Sequence, residues 1–124
     1  MAGKVILVGC GNMGYAMLKG WLASGAVTPA DVLVIEPNDT LRDRAAGQGV
    51  RTSAAPDGIE GESADLVVIA VKPQILRDVL PAYRPLSPKA AFLSIAAGIP
   101  IRTFTGILGD STPVIRCMPN TPAA

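Results

Sequence analysis

The chain has 124 residues, 49% of them apolar, 17% charged and 4% aromatic, with a net charge of +1. That length fits one domain able to bury roughly two-thirds of its unfolded surface without a metal or disulfide staple, and the near-neutral charge argues against a nucleic-acid surface built on electrostatic excess. With no histidine and only two cysteines, Cys10 and Cys117, far apart, the chain excludes a Ser-His-Asp triad, a His-ligated metal site, a histidine proton relay and a disulfide framework. The longest apolar runs, such as residues 66–71, fall short of the ~20 residues of a membrane span. The run at residues 5–8 is too short for a secretory signal. These features predict a soluble, cytoplasmic α/β domain occupying residues 1–124.

Residues 4–8 (KVILV) read as a strand buried on both faces, because no polar residue alternates with the apolar ones. After a glycine turn, Met13, Met17, Leu18, Trp21 and Leu22 recur at helical spacing, which assigns them to the core stripe of an amphipathic helix that Gly25 stops. Residues 32–35 (VLVI) form a second strand ending at Glu36. Asn38 or Asp39 then caps a polar helix running to about Gln48. Residues 50–52 read as a brief third strand and residues 53–64 as loop. Residues 66–70 (LVVIA) are the fourth strand, and Pro73 opens a helix that Pro81 limits. Residues 91–95 are the fifth strand, residues 100–108 a short helix, and residues 114–117 the sixth strand, followed by residues 118–122 (MPNTP).

Such alternation implies parallel strands joined by right-handed crossovers with helices on both faces. The doubly wound dinucleotide-binding (Rossmann-type) sheet, strand order 3-2-1-4-5-6, accommodates it.

Gly9-Cys10-Gly11-Asn12-Met13-Gly14 lies between the first strand and the first helix, the context that gives a G-x-G-x-x-G its meaning. Gly9 would make the tight turn, Gly11 would admit a pyrophosphate to the backbone, and Gly14 would let the helix pack on the strand. The amides near Asn12 and Met13 would then face the phosphates at a helix N-terminus. Glu36 stands where an acid accepts hydrogen bonds from an adenosine ribose, which favours NADH, while Asn38, Thr40 and Arg42 close by offer a phosphate site instead. Lys72 in Ala70-Val71-Lys72-Pro73, Gly98 in Ala96-Ala97-Gly98, and Asn120 all follow strands and fall on the edge that carries the glycine loop. Lys72 would reach ribose or pyrophosphate, Gly98 would let the backbone approach a nicotinamide, and Asn120 would position nicotinamide or substrate. Plainer readings stand beside these: Glu36 as a solvated strand-end charge, Lys72 as a surface cation, Asn120 as a turn residue. Cys10 and Cys117 read as small buried apolar groups. No metal site and no general acid stand out, so no catalytic residue is assigned.

In order and spacing these residues resemble the N-terminal domain of pyrroline-5-carboxylate reductase. The resemblance rests on residues 9–14 (GCGNMG), 70–74 (AVKPQ), 94–98 (SIAAG) and 114–122 (VIRCMPNTP). It implies hydride transfer from a nicotinamide cofactor, NADP or NAD, to the C=N carbon of 1-pyrroline-5-carboxylate, giving L-proline in the last step of proline biosynthesis. By the same resemblance, residues 9–14 hold the pyrophosphate and Glu36 to Asn38 face the adenosine ribose. Ala70, Val71, Lys72 and Pro73, with Ala96, Ala97 and Gly98, line the ribose and nicotinamide. Two positions depart from the pattern. Many relatives carry a neutral or basic residue where this chain has Glu36, and some an asparagine near position 56, where this chain has Pro56-Asp57. Family members continue into an all-helical domain that holds the substrate carboxylate and forms the homo-oligomer. The chain therefore reads as the cofactor-binding domain, expected to bind nucleotide without turning over substrate. A non-catalytic dinucleotide sensor and another two-domain dehydrogenase are the rival readings.

Overall fold

The computed structural model describes residues 4–57, 59, 64–87, 89–96 and 98–117. In chain order these form β1 (Val5–Val8), α1 (Asn12–Ser24), β2 (Val32–Ile35), α2 (Asp39–Ala46), β3 (Arg51–Ser53), β4 (Leu66–Ile69), α3 (Pro73–Val79), β5 (Ala91–Ser94), α4 (Ile101–Leu108) and β6 (Val114–Arg116). Tight 3-10 segments at Pro29–Asp31 and Leu80–Leu86 complete them. The strands make one sheet in the order β3-β2-β1-β4-β5-β6, every pair parallel, as the sequence predicts.

β1 is buried at all four positions, and so is β2. The register explains the unbroken apolar runs: Val5 lies opposite both Val32 and Leu66, so the central strands have a neighbour on each side and a helix layer on each face. Alternate residues serve opposite layers. Ile6, Val8, Leu33, Ile35, Val67 and Ile69 join Leu76 of α3 and Phe104 and Leu108 of α4 in one core. Val5, Leu7, Val32, Val34 and Val68 join Leu18 of α1 and Ala45 of α2 in the other.

The local signals act as expected at several ends. Gly25 closes α1 in the left-handed region, its N–H donating to the carbonyls of Leu22 and Trp21. Asn38, not Asp39, caps α2, its Oδ1 accepting from the Leu41 amide at 3.0 Å. Strand limits move by a residue: β3 begins at Arg51, because Val50 spends its side chain in the core below α2.

Pro81 limits α3 as the sequence predicts, the α-helix ending at Val79. The chain tightens after Val79 into the 3-10 segment, where Leu80, Tyr83 and Leu86, three residues apart, fall on one buried face. Contrary to the sequence reading, Met13 is 39% exposed and stands outside the core stripe. Cys117, also expected to be buried, is exposed, whereas Cys10 is wholly buried.

Candidate functional site

A parallel sheet gathers every strand's carboxyl end at one edge, and the ladder carries each chain just beyond its strand there. The Gly9 amide donates to the Ile35 carbonyl at 2.9 Å, that of Glu36 to Ser53 at 2.9 Å, that of Ala70 to Val8 at 2.8 Å, and that of Cys117 to Ser94 at 2.8 Å. The segments singled out in the sequence therefore leave the sheet side by side.

At the end of β1, Gly9 turns with φ +90°, and a Cβ there would meet the Ala70 carbonyl and the Val71 side chain at 3.0 Å. Only glycine makes that turn beside β4 without strain. A Cβ on Gly14 would stand 2.6 Å from the Gly9 carbonyl oxygen, so the helix packs directly on the turn. Gly11 is different, for a Cβ there would meet nothing within 4 Å. Among the described residues no contact demands glycine at this position; the open space beside the backbone does what an approaching ligand needs. Gly11 also caps α1 without a side chain, so the first amides of the helix, those of Asn12, Met13 and Gly14, lack an intrahelical partner. Asn12 and Met13 are exposed.

Glu36 is not a solvated charge. It is 7% exposed, its Oε1 accepts from the Cys10 amide at 2.8 Å, and its Oε2 accepts from the Asn38 amide at 3.0 Å. The carboxylate thus ties the end of β2 to the glycine loop. Arg42, a candidate phosphate ligand by sequence, is drawn inward: its guanidinium donates to the carbonyls of Glu36 and Pro37 and pairs with Asp39.

From the other side come Ala70 and Val71, half-buried, then exposed Lys72 and Pro73, which open α3. Between the two sides lies a cleft of about 440 Å³ bordered by Gly9, Gly11, Glu36, Ala70, Val71 and Lys72. Gly98 turns with φ +76°, the left-handed region, which accounts for glycine on backbone grounds; it is exposed at the β5 end and does not border the cleft. Ala97 and Asn120, with the rest of residues 118–122, lie outside the described residues.

Much of the cleft's apolar wall is not legible in the sequence. Leu41, Ala55 and Pro56 form it on the β2–β3 side, Ile75, Val79 and Tyr83 on the α3 side. One signal is present. Ile75 precedes the core residue Leu76 and is 47% exposed, an isoleucine displaced from the stripe of its own helix. Burial pushes the Tyr83 phenol upward, so its hydroxyl stays neutral. Arg44 is a second residue that no sequence motif marks. Its guanidinium lies 4.0 Å over the Tyr15 ring and its Nη2 donates to the Cys10 carbonyl at 3.2 Å, while its buried Nε has no hydrogen-bond partner among the described residues. Both backbone groups of Cys10 are therefore held by side chains that follow β2, Glu36 on the amide and Arg44 on the carbonyl. Burial raises the Cys10 thiol above its ordinary range.

Among the described residues no group of His, Cys, Asp or Glu could hold a metal ion, and no helix is long and apolar enough to cross a membrane.

Residues 4–98 match the family described as NADP oxidoreductase coenzyme F420-dependent. The chain is 37% identical over 121 residues to a pyrroline-5-carboxylate reductase of Pseudomonas aeruginosa, covering 97% of this chain and 44% of the relative. It is 38% identical over 124 residues to that of Methanosarcina acetivorans, covering 97% and 45%. The solved pyrroline-5-carboxylate reductase of Coxiella burnetii superposes with a TM-score of 0.88 at 28% identity, over 98% of this chain and 46% of that one. The chain spans under half the length of the curated relatives it matches.

Proposed function

From a chain that belongs to the NADP oxidoreductase coenzyme F420-dependent family, we infer the dinucleotide-binding domain of a reductase that converts 1-pyrroline-5-carboxylate to L-proline. The observation that carries the reading is the open space at Gly11, set between a turn and a helix that tolerate no side chain at Gly9 or Gly14. Where the protein needs glycine for itself, the reason is visible; at Gly11 the space is kept for something else.

The residues fit a nicotinamide dinucleotide. Gly11 and the first amides of α1, at Asn12, Met13 and Gly14, receive the diphosphate, helped by the helix dipole. Glu36 accepts from the adenosine ribose, with Asn38 shaping the same corner, and the wall of Leu41, Ile75 and Val79 excludes water from the adenine. Ala70, Val71, Lys72 and Pro73 border the path toward the β5 end, where Ala97 and Gly98 complete the nicotinamide side. Asn120 positions nicotinamide or substrate. When bound, the cofactor supplies the hydride that reduces a C=N bond.

The whole reductase is a homo-oligomer in the cytoplasm, acting on a small molecule rather than on nucleic acid or membrane, and its substrate carboxylate is held outside residues 1–124. The net charge of +1 supports a small-molecule partner. Calorimetric titration with NADH and NADPH tests the binding half. The chain binds a dinucleotide, and Gly11→Asp abolishes binding by steric clash and by repulsion of the diphosphate; equal affinity in both proteins would sink the assignment. Absorbance at 340 nm tests the catalytic half. Residues 1–124 alone turn over no pyrroline-5-carboxylate, whereas a rate matching that of the complete reductase would place the whole site within them.

A further inference from the structure

The corner between β2 and α2 holds two acids and one base among residues 36–42: Glu36, Asp39 and Arg42. We propose that this corner accepts an adenosine ribose with a free 2′-hydroxyl and turns away one bearing a 2′-phosphate, so that the cleft prefers NADH to NADPH; the proposal rests on the dinucleotide reading of the cleft.

Three observations point the same way. Glu36 borders the cleft and cannot swing aside without breaking two hydrogen bonds, from the Cys10 amide at 2.8 Å and the Asn38 amide at 3.0 Å. Those bonds occupy one acceptor position on each oxygen, and a carboxylate has about two per oxygen. The positions left over suit a donor. A ribose hydroxyl is a donor; a phosphate monoester dianion has only acceptors and brings charge of about −1.5 to −2 against the carboxylate.

The two arginines nearest the corner are already engaged. Arg42 Nη1 donates to the Glu36 carbonyl at 3.0 Å and to the Pro37 carbonyl at 3.3 Å, and Nη2 pairs with Asp39 Oδ1. The one cation of the corner is thus folded back on its own backbone and neutralised by a neighbour. Arg44, two residues further on, lies over Tyr15 and donates to Cys10. The family description names NADP; this chain carries the opposite chemistry at the position that distinguishes the two cofactors.

The test is calorimetric titration of the 124-residue chain with NADH and NADPH at one ionic strength, for the wild type, Glu36→Gln and Asp39→Asn. The wild type binds NADH about 10-fold or more tightly than NADPH, the scale of a close like-charge contact after screening. Glu36→Gln closes most of that gap. Asp39→Asn, an exposed change that releases Arg42, narrows it by a smaller factor of about 2 to 3, typical of a surface charge. NADPH binding as tight as NADH in the wild type would overturn the proposal while leaving the dinucleotide site standing, and binding of neither would overturn both. A preference for NADH that survives both substitutions would also overturn it, since the discrimination would then lie elsewhere. If Glu36→Gln does not fold, as judged by its urea transition, the wild-type ratio and Asp39→Asn decide alone.

Discussion

Cys10 and Cys117 each follow a strand of one parallel sheet, on the same edge, yet the first is wholly buried and the second is exposed. The difference reflects their strands. β1 has paired neighbours on both sides, and the segment after it is held by Glu36 and Arg44 from the β2 side. Among the described residues β6 pairs only with β5, and its middle residue, Ile115, is 51% exposed. The β1–β2 end closes its loop with its own contacts, whereas the β6 end leaves an apolar side chain in water. A binding corner must be pre-formed to hold a ligand without an ordering cost, and the β1–β2 end is built that way.

The sharpest break in this comparison would come from the core beneath the weaker end. Phe104 of α4 is fully buried in the layer that supports β5 and β6, and Phe104→Ala should cost about 3–5 kcal/mol. Urea denaturation should show the loss, and a midpoint unchanged from wild type would mean that α4 is not docked on the sheet. Next comes Gly14→Ala, which drives a Cβ to 2.6 Å from backbone and should cost roughly 1–3 kcal/mol. Gly11→Ala is its counterpart, with open space around it; stability should fall by about 0.5–1 kcal/mol, because glycine caps a helix better than alanine, while dinucleotide affinity drops. Equal destabilisation by the two substitutions would contradict the contrast drawn between these glycines.

Thiol chemistry tests the two ends directly. Cys117 should react with a disulfide reagent as soon as it is added. Cys10 should react only in denaturant, because it is buried and its thiol is held in the protonated form by desolvation. One fast thiol per chain at neutral pH is the expected count, and two would show that the glycine loop opens. Smallest of all is Ile115→Ser on the edge strand, which should shift stability by no more than about 0.5 kcal/mol. Any self-association through that edge should weaken with it, measured by sedimentation.

Most of the fold is legible in the amino-acid sequence. Apolar runs such as residues 32–35 and 66–69, separated by helical segments, already imply parallel strands with right-handed crossovers, and the dinucleotide-binding order 3-2-1-4-5-6 accommodates them. The glycine loop is legible for the same reason: its meaning depends on a strand just before it and a helix just after it, all within about twenty residues of chain. Local signals are incomplete where they meet a tertiary demand. Pro81 ends α3 as its chemistry requires, and the buried positions of Leu80, Tyr83 and Leu86 then carry the chain on as a tighter 3-10 segment that no sequence signal marks.

By itself, the sequence determined which segments become strands, where the chain turns sharply and which residues crowd the carboxyl edge, because those depend on periodicity and steric limits that act between near neighbours. The tertiary structure decided what the edge residues do to one another. Glu36 reaches the amide of Cys10 across 26 positions, and Arg44 reaches its carbonyl across 34. Ile75 and Leu41 become walls of one cleft only because α2 and α3 follow β2 and β4, the two strands that pair with β1. Such contacts depend on the register of β1 against β2 and β4, a property of paired strands that no single segment carries.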